Sequence, residues 1–85
     1  MATGEIPYID FAIRCGRQCV MDALKSSPEL ASKADTLRFV ASTYGLHRFS
    51  TVLKSTDRPI PDDAQVWIDQ GVETEIERQA RKAAA

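Results

Sequence analysis

Two cysteines and one histidine are the residues of this 85-residue chain whose types suit redox, nucleophilic or metal chemistry. Cys15 and Cys19 are four positions apart, which places their sulfur atoms on neighbouring turns of a helix. A disulfide between them would close a very small loop and would constrain almost nothing. A metal site needs more ligands, and His47 has no zinc-type spacing to either cysteine. The pattern favours cysteines that are buried as small apolar side chains, with a redox role as the alternative.

Catalytic motifs are not evident elsewhere in the sequence. No serine or cysteine lies in a nucleophile elbow, and no glycine-rich phosphate loop precedes a helix. His47 stands beside Arg48, and a lone histidine in that setting is most often a surface residue. A chain of 85 residues also rarely encloses a catalytic pocket alone. We therefore expect a protein that is not an enzyme and that uses no metal and no cofactor.

Length and composition predict a single domain that covers residues 1–85, and we expect this domain to be helical. Hydrophobic residues make up 44% and charged residues 27%, which is typical of globular proteins and unlike disordered chains. The net charge of −1 argues against histone-like proteins and against DNA mimics that rely on bulk charge. The sequence has no membrane span, no signal-peptide pattern and too few cysteines for a disulfide scaffold, so we expect a cytoplasmic protein.

Hydrophobic periodicity predicts an all-α fold, a compact bundle of three to four helices with a long C-terminal helix. Apolar residues recur at three- and four-residue steps over about residues 6–26, which predicts the first helix. A second helix is predicted to begin at the capping-box pattern of Ser26 and Glu29 and to end at Gly45. Similar residues repeat 29 positions apart, and Gly16 matches Gly45 in this repeat. The alternative to a helix end at Gly45 is therefore that both glycines mark close helix crossings.

Two prolines divide the second half of the chain. A short third helix is predicted for residues 46–55, followed by an extended connection through Pro59 and Pro61. The last helix is predicted to begin at the acidic pair that follows Pro61. Residues 77–85 have little apolar surface, so we expect them to project or fray. No segment alternates long enough to predict a β-strand.

Charge is segregated along the chain. Residues 57–77 carry seven acids and one base, and residues 78–85 carry three bases and no acid. The helix macrodipole favours acids near the start of a helix and bases near its end. The same order also allows the helix to pair antiparallel with its own copy, acidic end against basic end. We therefore predict a small regulatory module that binds a protein partner, or forms a homodimer, through its C-terminal helix. The candidate partner-binding residues are Trp67, Val72, Ile76 and Arg78.

The alternative function is DNA binding. Residues 40–53 resemble the helix-turn-helix element of small phage repressors, in which a small residue allows close helix packing and a glycine forms the turn. Ala41 and Gly45 have the spacing of that motif, whereas Thr51 departs from it because an apolar residue is expected there. The resemblance implies a transcriptional regulator whose recognition helix covers residues 46–54.

Charge placement supports this alternative. No acid lies between Asp35 and Asp57, and phosphate contacts need such a surface. A steep salt dependence of binding to duplex DNA would separate this hypothesis from protein binding. The candidate DNA-contacting residues are Arg38, His47, Arg48, Ser50, Thr51 and Lys54.

Overall fold

The computed structural model describes residues 8–84, which form three α-helices, one short 3-10 helix and no β-strand. Helix α1 covers Tyr8–Ser26, α2 covers Ala34–Ser55 and α3 covers Ala64–Ala84. The all-α class and the long C-terminal helix are confirmed. The predicted start of the first helix, near residue 6, lies outside the described residues. Within them, no helix is both long enough and apolar enough to cross a membrane.

Each helix contributes one stripe of apolar side chains to the core. Phe49 is the largest of the fully buried side chains, and its ring centroid lies 5.4 Å from that of Phe11. This separation is typical of favourable aromatic pairs. The core residues are Ala12, Cys15, Cys19 and Val20 of α1, Leu37, Ala41, Phe49 and Leu53 of α2, and Ala64, Ile68 and Val72 of α3.

The two cysteines are free thiols within this core. Burial raises the pKa of Cys15 and of Cys19 above the ordinary thiol value. A higher pKa lowers the thiolate fraction at neutral pH, so both thiols are poor nucleophiles. Their position therefore agrees with packing as small apolar side chains.

The connection between α1 and α2 differs from the predicted capping box. Ser26 is the last residue of α1, and the next helical segment is the 3-10 helix Pro28–Ser32. The Lys33 backbone N–H donates to the Leu30 carbonyl at 2.9 Å, which closes the final turn of this 3-10 helix. Helix α2 then begins at Ala34, so Ser26 does not cap it.

Residues 34–55 form one continuous helix, so the predicted helix end at Gly45 and the separate third helix are both wrong. A Cβ at Gly45 would lie 2.7 Å from Ile68 Cγ2 and 3.6 Å from the Cα of Gly16. Gly45 therefore serves close helix packing instead of a turn, and the alternative of a helix crossing is confirmed. The predicted helix-turn-helix element is absent for the same reason, because no turn divides α2.

The closest helix contact joins α1 and α3 at a pair of glycines. A Cβ at Gly16 would lie 2.1 Å from the Ile68 carbonyl oxygen, and one at Gly71 would lie 2.1 Å from the Ile13 carbonyl oxygen. The two backbones touch at this crossing, and only glycine permits such an approach. The repeat in the sequence offered Gly16 as a crossing residue in one of two alternatives, whereas Gly71 lies outside that repeat.

Helix α2 ends at Ser55, and Asp57, two residues later, has a φ of 59° in the left-handed region. The Arg58 N–H donates to the Leu53 carbonyl at 2.9 Å, and the Asp57 N–H donates to the Lys54 carbonyl at 3.1 Å. These two hydrogen bonds are those of the Schellman motif, in which the left-handed residue is usually glycine. Asp57 is thus the true end signal of this helix.

We expect Asp57→Gly to raise the free energy of unfolding by up to about 1 kcal/mol, because glycine adopts the left-handed region without a Cβ clash. Asp57→Val is the matched comparison and is expected to lower it, since β-branched residues disfavour positive φ. Urea denaturation followed by circular dichroism measures both. Equal stabilities of the glycine and valine variants would contradict the assignment.

Candidate functional site

The predicted contact residues of the C-terminal helix face largely inward. Val72 is fully buried, and Trp67 and Ile76 are half-buried against the core. The Trp67 indole N–H donates to Asp63 at 3.1 Å. Val72 therefore presents no surface to a partner, and Trp67 and Ile76 do so only in part.

Arg78, the fourth predicted contact residue, belongs to an ion-pair network around a buried carboxylate. The Glu75 side chain is fully buried, and it accepts hydrogen bonds from Gln79 at 2.7 Å, Arg78 at 3.1 Å and Arg17 at 3.4 Å. Burial favours the neutral acid, but the Gln79 hydrogen bond and the two guanidinium groups more than offset it. The pKa of Glu75 therefore lies below its ordinary value.

The Glu75 network links α3 to α1 through Arg17. No buried side-chain nitrogen or oxygen of the described residues lacks a hydrogen-bond partner, so this carboxylate is fully satisfied. A satisfied, ionised carboxylate inside the fold is a structural element. Glu75 was not among the predicted site residues, although it follows Ile68 and Val72 at helical spacing and thus falls on the buried stripe.

The two arginines predicted to contact DNA are paired with acids of this chain. Arg38 forms an ion pair with Glu73 of α3, and its Nη1 donates to Asp35 at 2.8 Å. The Arg48 Nη2 donates to Asp22 of α1 at 3.1 Å. Each pair offsets the positive charge that a phosphate would require. Both arginines therefore act first as links between α2 and its neighbours.

The other predicted DNA-contacting residues lie along the same helix. His47, Thr51 and Lys54 are exposed, and Ser50 is half-buried. The Thr51 hydroxyl donates to the His47 carbonyl at 2.9 Å, so it is occupied by its own helix. These residues share the middle and end of α2, with no separate recognition helix to carry them.

Large apolar side chains are exposed on the sides of α2 and α3 that border each other. Phe39 of α2 is 71% exposed, and Val66 of α3 is 60% exposed. The helices are joined here by the Arg38–Glu73 ion pair and by a Gln65–Ser42 hydrogen bond of 2.7 Å. Val66 precedes Asp69 and Glu73 by three and seven positions, so it lies on the same side of α3 as these two acids.

A groove of about 430 Å³ runs along this junction. Phe39 and Thr43 line it from α2, and Asp69 and Glu73 line it from α3. We call the surface formed by these four residues and Val66 the α2–α3 face. It combines exposed apolar side chains with a polar border, as interfaces between proteins do.

A second groove, of about 660 Å³, lies between α1, the 3-10 helix and α2. Leu30 and Val40 give it apolar walls, and Tyr44, which is 62% exposed, stands at its edge. Its charged lining residues, Asp22 and Arg48, bind each other. The groove therefore favours no particular charge in a ligand.

Comparisons with protein-family models, with curated proteins and with solved structures found no match to this chain. No three His, Cys, Asp or Glu side chains among residues 8–84 are placed to hold one metal ion. The function must therefore be inferred from the surface of the fold. Its most distinctive feature is the α2–α3 face, where Phe39 stands in solvent at the edge of a groove and Val66 is exposed on the adjoining helix.

Proposed function

We propose that this chain is a non-enzymatic helical module that binds a protein partner through the α2–α3 face. The observation that carries the proposal is the exposure of Phe39 and Val66, 71% and 60%, on adjacent helices. Single exposed apolar residues are ordinary, but an exposed aromatic ring at the edge of a groove, with a second exposed apolar residue on the adjoining helix, is typical of interaction sites. Large apolar residues that fill a pocket also carry much of the binding energy in interfaces.

The distribution of apolar residues around α2 supports the same proposal. Leu37 and Phe49 pack inward, whereas Phe39 points away from the core and is exposed. A helix at the surface of a small domain normally keeps its outward side polar. Apolar residues on two sides of α2 are expected if the core covers one side and a bound partner covers the other.

The C-terminal helix, α3, also contributes residues to the proposed binding surface. It contributes Val66, Asp69 and Glu73 to the α2–α3 face, next to the residues of α2. The sequence predicts Val72 as an apolar contact residue, but Val72 is buried. Val66 is the exposed valine of this helix and replaces it in the proposal. A regulatory role and self-association remain parts of the proposal, since both require a surface that binds a protein.

Site-specific photo-crosslinking in the native host tests the proposal. A crosslinking residue at position 43, which lines the groove and leaves Phe39 in place, is expected to capture a protein, whereas one at Val52, a 39%-exposed position on the same helix, should not. The captured partner is then purified, and its affinity is measured by calorimetry. Phe39→Ser should weaken binding at least about tenfold, since buried aromatic anchors contribute more than 1.4 kcal/mol. Equal capture from both positions, or no effect of Phe39→Ser, would refute it.

DNA binding is the second candidate, and one observation favours it. The acid-free stretch between Asp35 and Asp57 lies on α2, where His47 and Lys54 are exposed. Binding would then use the side of a single helix, with Arg38 and Arg48 released from their acids. This candidate requires a steep loss of affinity for duplex DNA as salt rises, which protein binding through Phe39 does not require.

A further inference from the structure

We infer that the α2–α3 face binds a basic segment of another protein, whose arginine or lysine side chains enter the groove between the two helices. The exposed apolar residues identify this surface as a binding site, and the charge of the groove selects the kind of partner. The inference rests on the proposed function, to which it adds the chemical class of the partner.

The side chains that line this groove carry more negative than positive charge. Three of them are acids, Asp35, Asp69 and Glu73, and one is a base, Arg38, which leaves a net charge of −2. Arg38 binds both Asp35 and Glu73, so its guanidinium is already occupied within this chain. A basic partner is therefore attracted to the groove, whereas an acidic partner is repelled.

Asp69 is the acid whose charge is most available to a partner. It is exposed, and it accepts hydrogen bonds from the Ser42 hydroxyl and, at 2.8 Å, from the Gln65 amide. Both donors are neutral, so they orient the carboxylate without neutralising it. Among residues 8–84, no lysine or arginine forms an ion pair with Asp69. Asp69 thus presents an oriented negative charge at the groove.

Phe39 adds a preference for long cationic side chains. Its ring is 71% exposed and lines the same groove as Asp69. The carbon stem of an arginine or lysine packs well on such a ring, and its charged end is attracted both to the ring face and to a carboxylate. Arginine fits best, because its planar guanidinium stacks on aromatic rings and binds carboxylates through two parallel hydrogen bonds. An exposed ring and an unneutralised carboxylate in one groove therefore suit a basic segment better than a purely apolar one.

The charge of the α2–α3 groove also distinguishes it from the groove between α1, the 3-10 helix and α2. The acid and the arginine that line that second groove, Asp22 and Arg48, bind each other, so their charges cancel. Face-to-face contact between two copies of the α2–α3 face would bring the acids of both grooves together. Charge therefore favours a foreign basic segment over a second copy of this chain.

Fluorescence anisotropy of labelled peptides mixed with the full chain tests the inference. The probe is a helical peptide with arginine and leucine along one side, and its comparator has glutamate in place of every arginine. The arginine peptide is expected to bind, whereas the glutamate peptide is not. Phe39→Ser should weaken binding of the arginine peptide at least about tenfold, because the ring is the aromatic anchor of the contact.

Asp69→Asn isolates the contribution of charge, because asparagine keeps the oxygen that accepts hydrogen bonds from Ser42 and Gln65. It should weaken binding of the arginine peptide about twofold to fivefold, as expected for the loss of an exposed ion pair. Asp10→Asn is the matched control, since it removes the same charge from an exposed position of α1 that does not line the groove. The control should leave the affinity unchanged, and circular dichroism verifies that each variant is folded.

Three outcomes would overturn the inference: no binding of the arginine peptide, equal binding of the two peptides, or equal effects of Asp69→Asn and Asp10→Asn. Photo-crosslinking from position 43 decides the proposed function separately. If it captures a protein while the arginine peptide does not bind, the proposed function stands and the inference fails. Capture of a second copy of this chain also overturns the inference alone. If nothing is captured, the proposed function fails and the inference fails with it.

Discussion

Replacing Gly71 by alanine should cost this protein about 3 kcal/mol of unfolding free energy or prevent it from folding. The new Cβ would lie 2.1 Å from the Ile13 carbonyl oxygen and 2.9 Å from the carbonyl carbon. These atoms are backbone, so α1 must move away from α3 along the whole crossing to relieve the clash. The better helix propensity of alanine returns only about 1 kcal/mol. Gly16→Ala should behave alike, because its Cβ would meet the Ile68 carbonyl oxygen.

Gly45→Ala is the matched control for both variants. Its Cβ would lie 2.7 Å from a single close side-chain atom, Ile68 Cγ2, whereas a Cβ at Gly71 would lie 2.1 Å from a backbone oxygen. We therefore expect a smaller loss than for Gly71→Ala, partly offset by the gain in helix propensity. Chemical denaturation followed by circular dichroism ranks the three variants. A Gly71→Ala protein as stable as the wild type would mean that α1 and α3 do not cross at these glycines.

Glu75→Gln is expected to lower the free energy of unfolding at neutral pH by about 1–3 kcal/mol. The substitution removes the buried charge that Arg17 and Arg78 contact, and charged hydrogen bonds contribute about that much. Glu77→Gln is the matched control, because Glu77 is exposed on the same helix and its loss should change stability little. Equal stabilities of the two variants would contradict a structural role for the Glu75 carboxylate.

The effect of Glu75→Gln also depends on pH in a defined direction. The pKa of Glu75 is lower in the folded protein than its ordinary value of 4.5. The carboxylate therefore contributes its full stability above pH 4.5 and loses it as the pH falls through the folded pKa. We expect the stability difference between the wild type and Glu75→Gln to shrink on acidification below pH 4.5. A difference that stays constant would mean that Glu75 does not stabilise the fold through its charge.

The helical class and the end of α1 at Ser26 could be predicted because both depend on local spacing. Apolar residues three and four positions apart predict a helix and its inward side wherever the partner helix lies. The end of α2 could not be predicted in the same way. A glycine is compatible with a turn and with a close crossing, and Gly45 serves the crossing because Ile68 and Gly16 lie against it. The left-handed residue that ends α2 is Asp57, which lacks the usual glycine signal.

The candidate surface could be predicted from the sequence only in outline. Charge segregation and the absence of acids between Asp35 and Asp57 are visible in the sequence, and they directed attention to α2 and to the C-terminal helix. Periodicity could not tell that Val72 is buried and that Phe39 and Val66 are exposed. Those facts depend on which side of each helix meets another helix.

The sequence by itself determined that the described chain is helical, that α3 is long, and that acids and bases are segregated along it. Helix formation and charge order are local properties, so neighbouring residues suffice to specify them. Only the tertiary structure decided that Gly16, Gly45 and Gly71 lie at close helix contacts, that Glu75 is buried, and that Phe39 stands in solvent. These properties arise from contacts between residues distant in the chain, because the glycine crossings set how the helices pack and thus which side chains remain exposed.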